Sequence, residues 1–217
     1  MIRFVSFEGG DGTGKTTQIH ALENYLIQQG RSCVVTREPG GTSLGKLIRQ
    51  VLLQVGDLEI APSTELFLYL ADRAQHVHGI IRPALAAGKI VLCDRFTDST
   101  LAYQGYGRGI DLKLLGQFND VADGGVRPDL TFLLDCPVAV GLGRTSRRAS
   151  VEGHPPEDRF ERETIGFHEK IRAGFLAMAR AEPARFRVID ASRSADEMAR
   201  EIQRIADREI LSWASRI

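Results

Sequence analysis

Residues 2–17 read IRFVSFEGGDGTGKTT. The apolar run at 2–7 predicts a buried strand, because a short apolar run ended by glycine is typical of strands covered on both faces. Residues 14–29 predict a helix, because their apolar side chains, Ile27 among them, recur every three or four positions. Between the two, residues 9–16 match the pattern G-x-x-x-x-G-K-[ST] in the strand–loop–helix order that the pattern requires. The stretch therefore predicts a phosphate-binding loop at the start of an α/β fold.

The residue types in this loop indicate what it binds. Glycines let the backbone pass close to a ligand, so that N–H groups point at phosphate oxygens, and the following helix adds its dipole. Lys15 is placed to reach the β- and γ-phosphates, and the hydroxyl of Thr16 is a ligand for Mg²⁺. The loop predicts a nucleoside triphosphate but leaves the fate of the phosphoryl group open. A glycine-rich turn without a ligand is the alternative, and the flanking strand and helix argue against it.

Strands and helices alternate along the rest of the chain. Apolar runs predict further strands at 32–36, 90–93, 130–134 and 186–189. Apolar periodicity predicts helices at 44–53, 63–87, 97–104, 111–122, 138–148, 159–181 and 194–212. This alternation predicts an α/β fold of the P-loop NTPase type, with a parallel five-stranded sheet and helices on both faces. We expect a single domain over residues 1–217.

A polar stretch interrupts the helical pattern at 149–158, where Gly153, Pro155 and Pro156 stand among charged residues. Because this stretch lies inside the domain, it favours a mobile segment over a domain boundary. We therefore interpret residues 145–158 as a short mobile lid, and we use the word lid for these residues throughout.

The composition excludes several classes of protein. Lys plus Arg and Asp plus Glu each number 28, so the net charge of zero gives no argument for nucleic acid or an anionic membrane as a partner. No uncharged apolar stretch approaches the roughly 20 residues of a membrane span, and the N-terminal run is too short for a signal peptide. Cys33, Cys93 and Cys136 predict buried thiols in a reducing compartment. We expect a cytoplasmic protein without nucleic-acid or membrane partners.

Further polar segments are predicted to meet the loop in one cleft. Residues 36–42 read TREPGGT and follow the second predicted strand, and Asp94 and Arg95 follow the third. The carboxyl ends of strands in an open parallel sheet line one crevice, so Arg37, Asp94 and Arg95 are expected to face the loop. Several arginines beside a triphosphate site favour a second phosphate-bearing ligand.

Three motifs taken together resemble the bacterial thymidylate kinase family. They are F-E-G-x-D-x-x-G-K-T-T from Phe7, T-R-E-P-G-G-T from Thr36 and D-R-F-x-x-S-x-x-A-Y-Q-G from Asp94. The resemblance extends from Phe7 to the segment ending at Ala191. It implies transfer of the γ-phosphoryl group of MgATP to dTMP, giving dTDP and ADP for dTTP and DNA synthesis. It also implies a homodimer, with helices 44–53, 63–87 and 159–181 as candidate contacts.

The resemblance assigns a set of residues to dTMP. They are Asp11, Arg37, Tyr69, Arg73, Arg95, Ser99, Tyr103 and Gln104. In this assignment Asp11 contacts the sugar 3′-hydroxyl, Arg37 and Arg95 lie near the acceptor phosphate, and Arg73 hydrogen-bonds the thymine. Tyr103 and Gln104 pack against the deoxyribose and base, where a ring beside C2′ disfavours a ribonucleotide.

The resemblance also assigns the ATP side of the cleft. Its residues are Gly9, Gly10, Asp11, Gly12, Thr13, Gly14, Lys15, Thr16, Thr17 and Arg144, the last of which matches a position that stacks on adenine. Thr16 and Asp94 are expected to hold Mg²⁺. The residues expected to take part in catalysis are Lys15, Asp94, Arg95 and the arginines in and beside the lid, Arg147, Arg148 and Arg159.

Two positions depart from the family pattern. Tyr69 stands where the family usually has a phenylalanine that stacks on the base, and a tyrosine ring stacks equally well but its hydroxyl needs a partner. Gly12 stands where some members carry an arginine. A chain without that arginine resembles the subtype that supplies catalytic arginines from the lid.

Other readings of single residues remain open at this stage. Asp94 can cap the helix that follows it, Arg147 and Arg148 can form a solvated helix face, and Tyr69 can belong to the core. His76, His78 and His154 lack the spacing of metal ligands and are expected at the surface or in supporting positions. His168 and Glu169 are expected to face solvent.

The sequence leaves three rival functions to weigh. The nearest is a kinase for another nucleoside monophosphate, which Tyr69 leaves open. A GTP-driven switch is disfavoured, because the chain has no N-K-x-D motif and a switch has no use for Arg37, Arg73 and Arg95. An ATPase that acts on nucleic acid is disfavoured by the zero net charge.

Overall fold

The computed structural model describes residues 2–54, 59–152 and 159–211, without the side chains of residues 148–152, 161 and 162. Its described part contains one sheet of five parallel strands in the order β2-β3-β1-β4-β5. The strands are β1 (Phe4–Glu8), β2 (Cys33–Arg37), β3 (Ile90–Asp94), β4 (Leu130–Asp135) and β5 (Phe186–Asp190). The predicted fold class and all five predicted strands are confirmed, with ends displaced by at most two residues.

Helices connect the strands and cover both faces of the sheet. They are α1 (Lys15–Gln28), α2 (Ser43–Leu53), α3 (Pro62–His76), α4 (Arg82–Ala86), α5 (Thr97–Thr100), α6 (Leu112–Asp123), α7 (Val138–Glu152), α8 (Ile165–Ala181) and α9 (Ala195–Ala206). π-Helical segments at Val77–Ile81, Leu101–Gly107 and Asp207–Leu211 continue α3, α5 and α9. The long predicted helices at 63–87 and 97–104 are thus continuous, with a change of helix type inside them.

The prediction of one unbroken helix over 159–181 is wrong. A 3₁₀ turn at Arg159–Arg162 is followed by a break, and α8 begins only at Ile165. Thr164 has extended backbone angles, and its hydroxyl accepts a hydrogen bond from the N–H of Phe167. A threonine in this conformation is a good N-cap, so the local cap overrides the apolar periodicity that runs across it.

The central strand explains why two helical layers form. All five residues of β1 are buried, with Val5 and Phe7 packed among residues of α1 and α9, and Phe4 packed on the opposite side near Ile81. The hydroxyls of Ser6 and Thr131 hydrogen-bond each other at 2.7 Å, which satisfies the polar groups of an otherwise apolar interior. Within α1, Ile27 was expected to face this core and is instead 55% exposed.

The order of the strands determines where the cleft lies. β1 pairs with β3 on one side and β4 on the other, so the connections leave β1 and β4 in opposite directions. Phe7 and Arg37 are both aligned with Asp94 in the parallel register. The loop after β1, the end of β2 and the end of β3 therefore lie at one edge of the sheet. Among the described helices, none is long and apolar enough to cross a membrane.

Candidate active site

The glycine-rich loop between β1 and α1 has the backbone conformation that its composition predicts. Gly9, Gly12 and Gly14 have φ angles of 134°, 71° and 91°, which residues with a Cβ atom rarely adopt. The Nζ atom of Lys15 lies in the loop and donates hydrogen bonds to the carbonyl oxygens of Gly9 (3.1 Å) and Gly10 (2.7 Å). The loop therefore curls around the lysine at the N-terminus of α1, where a phosphate would bind.

Gly12 carries a second constraint besides its φ angle. A Cβ atom at this position would overlap the carbonyl oxygen of Gly141 in α7. Position 12 in this chain therefore has no room for the arginine that some family members carry there, unless α7 shifts.

We expect Gly12→Ala to lower the free energy of unfolding by about 2–4 kcal/mol, from left-handed strain plus the overlap with α7. Gly30→Ala is the matched control, since Gly30 has a φ angle of 72° and open space around its Cα atom. The loss of unfolding free energy in Gly30→Ala measures the backbone strain alone, and we expect about 1–2 kcal/mol. Urea denaturation of both variants measures the difference, and equal losses would contradict a close approach of the loop to α7.

The environment of Lys15 disfavours its charged form. Burial, assisted by the nearby positive charge of Arg95, lowers the pKa of Lys15 to about 8. Asp94 and Asp11 act in the opposite direction without restoring the ordinary value. An added phosphate would supply the negative charge that this buried ammonium group needs.

Thr16 and Asp94 form a pair of oxygen ligands beside Lys15. The Thr16 hydroxyl donates to Oδ2 of Asp94 at 3.0 Å, and Phe96 rather than Asp94 occupies the N-cap position of α5. Within the described residues no cluster of three or more His, Cys, Asp or Glu residues could hold a metal. A hydroxyl and one carboxylate suit Mg²⁺, which prefers hard oxygen ligands and usually completes its shell with water and substrate phosphates.

Arg95 joins the loop to the other half of the cleft. Its guanidinium group donates to the carbonyl of Gly9 (3.0 Å), to Oδ1 of Asp11 (2.6 Å) and to the hydroxyl of Ser99 (3.3 Å). It also lies over the ring of Tyr103, 5.0 Å from the centroid. The φ angle of Arg95 is 69°, a rare conformation for a residue with a side chain, and such backbone strain is common at functional sites.

Asp11 sits between two partners. Oδ1 pairs with Arg95, and Oδ2 accepts a hydrogen bond of 3.2 Å from the hydroxyl of Tyr103. Burial acts to raise the pKa of Asp11, but the charges of Arg95 and Lys15 outweigh it and hold the pKa below its ordinary value. Asp11 is therefore a fixed negative acceptor at the boundary between the loop and Tyr103.

Glu8 supports the residues of the cleft, and the sequence analysis missed it. It ends β1, is fully buried, and accepts hydrogen bonds from the N–H of Phe96 (2.7 Å) and the hydroxyl of Ser99 (2.6 Å). Burial, with the negative charge of Asp98, raises the pKa of Glu8 to about 8. Glu8 thus braces the strained turn that carries Arg95. The signal was an acid at the end of an apolar strand, immediately before the loop.

The raised pKa of Glu8 predicts a pH-dependent stability. Between about pH 4.3 and 8 the folded state holds a proton on Glu8 that the unfolded state has released, so stability falls as pH rises through this window. The limiting slope for one proton is about 1.4 kcal/mol per pH unit. We expect Glu8→Gln to remove this slope from the free energy of unfolding measured between pH 5 and 8.

A matched substitution separates Glu8 from other titrating groups. Burial and the negative charge of Glu38 raise the pKa of Asp72 to about 6. Asp72 therefore contributes a slope of the same sign, and this slope remains in the Glu8→Gln variant. Glu59→Gln, at an exposed position, is the control for loss of a carboxylate. A wild-type slope that persists in Glu8→Gln would show that Glu8 does not hold the proton.

Arg73 is held in a fully buried network at the other end of the cleft. It donates to Oε2 of Glu38 from Nε (2.8 Å), and its Nη1 donates to Thr100 (2.9 Å) and Asn119 (2.6 Å). Oε1 of Glu38 contacts Nδ1 of His76 at 2.8 Å. His76 is therefore a buried supporting residue that helps to fix Glu38, which is the second of the two positions expected for it.

These elements enclose one cleft with a volume of about 1130 Å³. Of the residues assigned to dTMP, the lining includes Asp11, Arg37, Tyr69, Arg73, Arg95, Ser99, Tyr103 and Gln104. Of those assigned to ATP and metal, it includes Asp11, Gly12, Gly14, Lys15, Thr16, Thr17 and Asp94. Two cationic residues of α2, Lys46 and Arg49, also line it and were missed, because they lie within an amphipathic helix that resembles an ordinary surface helix.

The arginines near the lid take different positions. Arg144 donates from Nη1 to the carbonyl of Ala191 at 2.8 Å, and Arg147 is exposed on α7. Arg159 donates from Nε to the carbonyl of Leu52 at 2.7 Å and pairs closely with Glu65. The side chain of Arg148 and residues 153–158 of the lid, including His154, lie outside the described residues.

The expected solvent exposure of His168 is wrong, whereas that of Glu169 is confirmed. His168 is 5% exposed and, within the described part of the chain, its Nε2 has no hydrogen-bond partner. It lines a small cavity of about 30 Å³ behind Gly9 and Gly10. Its position beside the same cavity as the loop depends on tertiary packing, which periodicity alone does not reveal.

Comparison with known proteins identifies relatives of this chain. The sequence model described as thymidylate kinase matches residues 7–202. A thymidylate kinase of Nitratidesulfovibrio vulgaris (strain DP4) is 50% identical over 200 residues, covering 92% of this chain and 89% of that protein. One of Geobacter sulfurreducens is 55% identical over 187 residues, covering 86% and 88%.

A solved structure extends the similarity to three dimensions. The crystal structure of thymidylate kinase from Ehrlichia chaffeensis superposes with a TM-score of 0.74 at 37% identity, covering 94% of this chain and 97% of that one. The matched residues include the loop, the TREPGGT segment and the end of β3, which form the cleft described above. This chain belongs to the thymidylate kinase family.

Proposed function

We propose that the protein transfers the γ-phosphoryl group of MgATP to the 5′-phosphate of dTMP, giving dTDP and ADP for dTTP and DNA synthesis. One observation carries the proposal: the phosphate-binding loop and a second group of hydrogen-bonded arginines share a single cleft of about 1130 Å³. That volume lies just above the range of about 300–1,000 Å³ that is typical of a pocket for one small ligand. The arginine side of the cleft is the acceptor side.

On the donor side, the loop backbone and Lys15 bind the ATP phosphates. The Lys15 ammonium group, held by the carbonyls of Gly9 and Gly10, exchanges these contacts for phosphate oxygens. Thr16 and Asp94 would hold Mg²⁺, which when bound neutralises charge on the phosphates. Arg144 lies beside Ala191, and we propose that it turns to stack on adenine.

On the acceptor side, Arg37 and Arg95 face the 5′-phosphate of dTMP. Asp11 accepts a hydrogen bond from the sugar 3′-hydroxyl, and the ring of Tyr103, fixed by its bond to Asp11, closes the space at C2′. Arg73, fixed by Glu38, points its remaining donor capacity at the thymine. Tyr69 and Phe96 line the same end of the cleft and provide ring faces for the base.

Phosphoryl transfer requires little covalent chemistry from the protein. Lys15 and the arginines offset the charge that spreads over the transferring group, and the rigid network around Arg95 keeps the acceptor phosphate in line with ATP. Closure of the lid would exclude water, which otherwise competes as the acceptor. We propose that the lid region adds positive charge on closure, and the candidate residues are Arg147, Arg148 and Arg159.

We further propose a cytoplasmic homodimer. Leu47 and Val51 of α2 and Phe67 of α3 are large apolar side chains with 42–60% exposure, a face suited to a second copy of the chain. Three free cysteines, of which Cys93 and Cys136 are buried, suit a reducing compartment.

An ADP-release assay tests the function. Purified protein with MgATP is given dTMP, dUMP, dCMP, dGMP, dAMP or UMP in turn, with a control that lacks an acceptor. We expect strong turnover with dTMP, weak turnover with dUMP and none without an acceptor. ADP release without an acceptor would indicate an ATPase, and preference for another monophosphate would indicate a different kinase.

A further inference from the structure

Glu65 of α3 lies beneath the acceptor side of the cleft and joins three segments of the chain. Its side chain is 1% exposed. Oε1 accepts a hydrogen bond of 2.8 Å from Nε2 of Gln104, and Oε2 accepts from Arg159. Arg108 donates to both oxygens, at 3.4 Å from Nε and 3.3 Å from Nη2. The sequence analysis assigned no role to Glu65.

Two arginines, Arg108 and Arg159, contact the carboxylate of Glu65. Arg108 and Arg159 offset its charge inside the protein, and the carboxylate of Glu65 is the acceptor in all four of these hydrogen bonds. Arg108 is held in turn by Glu163, with Nη1 2.6 Å from Oε1. Glu65 therefore presents a fixed acceptor to its remaining neighbour, Gln104.

An acceptor at this point fixes which way the Gln104 amide faces. An amide has a donor end and an acceptor end, and a carboxylate accommodates only the donor end. Gln104 is 1% exposed and lines the cleft next to Tyr69, Arg73 and Tyr103. With the amide nitrogen turned toward Glu65, the opposite end of the Gln104 amide, its carbonyl oxygen, is the group left to face a base in the cleft.

We propose that Glu65 is a positioning residue for base specificity, acting through the orientation of the Gln104 amide. This inference rests on the proposed function. Thymine and uracil carry an N3–H donor, which a carbonyl oxygen accepts, whereas cytosine has an N3 acceptor and a 4-amino group. A fixed Gln104 oxygen therefore favours dTMP and dUMP and opposes dCMP at N3, because two acceptors then face each other.

Glu65→Gln tests the proposal, since it replaces the fixed acceptor with an amide. The guanidinium groups of Arg108 and Arg159 would attract the new side-chain oxygen, which turns its NH₂ group toward Gln104. Gln104 can then turn its own oxygen to that NH₂ group and present its nitrogen to the cleft. We compare dUMP with dCMP, which lack the methyl group and differ only at positions 3 and 4. The ratio of their binding constants, from titration calorimetry, is expected to shift toward dCMP at least about tenfold.

Two further variants test whether the shift in the dUMP-to-dCMP ratio acts through Gln104. Glu163→Gln removes a carboxylate from the same network without touching Gln104, and we expect it to leave the dUMP-to-dCMP ratio unchanged. Gln104→Met removes the amide, so adding Glu65→Gln to it is expected to change the ratio no further. An equal shift from Glu65→Gln in the Gln104→Met background would overturn the proposal, as would no shift in the single variant.

A measurement on the wild-type protein covers the case in which Glu65→Gln does not fold. The side-chain amide protons of Gln104, assigned in NMR spectra by their loss in Gln104→Met, are expected to exchange with solvent about tenfold or more slowly than those of the exposed Gln29. Equally fast exchange without nucleotide would overturn the proposal. Wild-type protein that does not prefer dUMP over dCMP, or lacks dTMP kinase activity, would instead contradict the proposed function.

Discussion

Lys15→Met is expected to lower kcat for dTMP phosphorylation by about 10²–10³-fold, with little change in the KM for dTMP. The ammonium group is the buried cation of the phosphate-binding loop, and removing a group that offsets charge in the transition state typically costs this much. Lys15 lies on the donor side, so binding of the acceptor does not depend on it. Initial rates of ADP release at saturating MgATP, with dTMP varied, measure both constants.

The melting temperature of Lys15→Met distinguishes a loss of catalysis from a folding defect. Lys15→Met removes two hydrogen bonds to the carbonyls of Gly9 and Gly10, but it also removes a charge that burial disfavours, and methionine fills a similar volume. These effects offset each other, so we expect only a small change in the melting temperature. Lys89→Met, at an exposed lysine just before β3, is the matched control and should keep wild-type kcat. Near-normal turnover in Lys15→Met would remove the loop from the proposed mechanism.

Arg95→Lys is expected to lower kcat/KM for dTMP by about 10²-fold while the positive charge is kept. The guanidinium group binds Gly9, Asp11 and Ser99 in different directions and lies over the ring of Tyr103, and a lysine ammonium group cannot reproduce that fork. Lysine and arginine have the same preference against a φ angle of 69°, so the backbone strain is the same in both proteins. The change therefore isolates the side chain.

Arg82→Lys provides the control for this substitution. Arg82 also hydrogen-bonds backbone carbonyls, with Nη2 2.8 Å from the oxygen of Gly124, but it is not among the residues that line the cleft. We expect wild-type kinetics from it. If Arg95→Lys retains wild-type kcat/KM, the planar fork is not what positions the acceptor phosphate, and Arg37 must carry that task.

The sheet and the loop could be predicted because their signals are local. The apolar run before Gly9, the spacing of glycines and the Lys15-Thr16 pair all lie within 16 residues, and hydrogen bonds between near neighbours build the loop. Strand ends were within two residues of prediction for the same reason. The predicted helix over 159–181 failed where a single cap residue, Thr164, outweighed an apolar pattern that continues on both sides of it.

The cleft could be predicted only in part. Arg37 and Arg95 are recognisable from sequence, because arginines at the ends of parallel strands point to an anion site, whereas Arg73 lies in a helix and is recognisable through the family resemblance. Other residues beside the cleft and the loop were not recognisable. Lys46 and Arg49 resemble the polar face of any amphipathic helix, and His168 resembles a solvent-facing residue until its place beside the cavity behind the loop is known.

Short-range patterns were sufficient to predict the α/β architecture, the phosphate-binding loop and the arginines at the strand ends beside it. How these arginines and their neighbours are held depends on contacts between distant parts of the chain. Glu8 braces the turn of Arg95, Glu38 fixes Arg73, and Glu65 orients Gln104. A buried carboxyl group must find a hydrogen-bond partner because the protein interior offers it no water, but the partner lies 35 to 88 residues away in these three cases. Only the packed fold selects that partner.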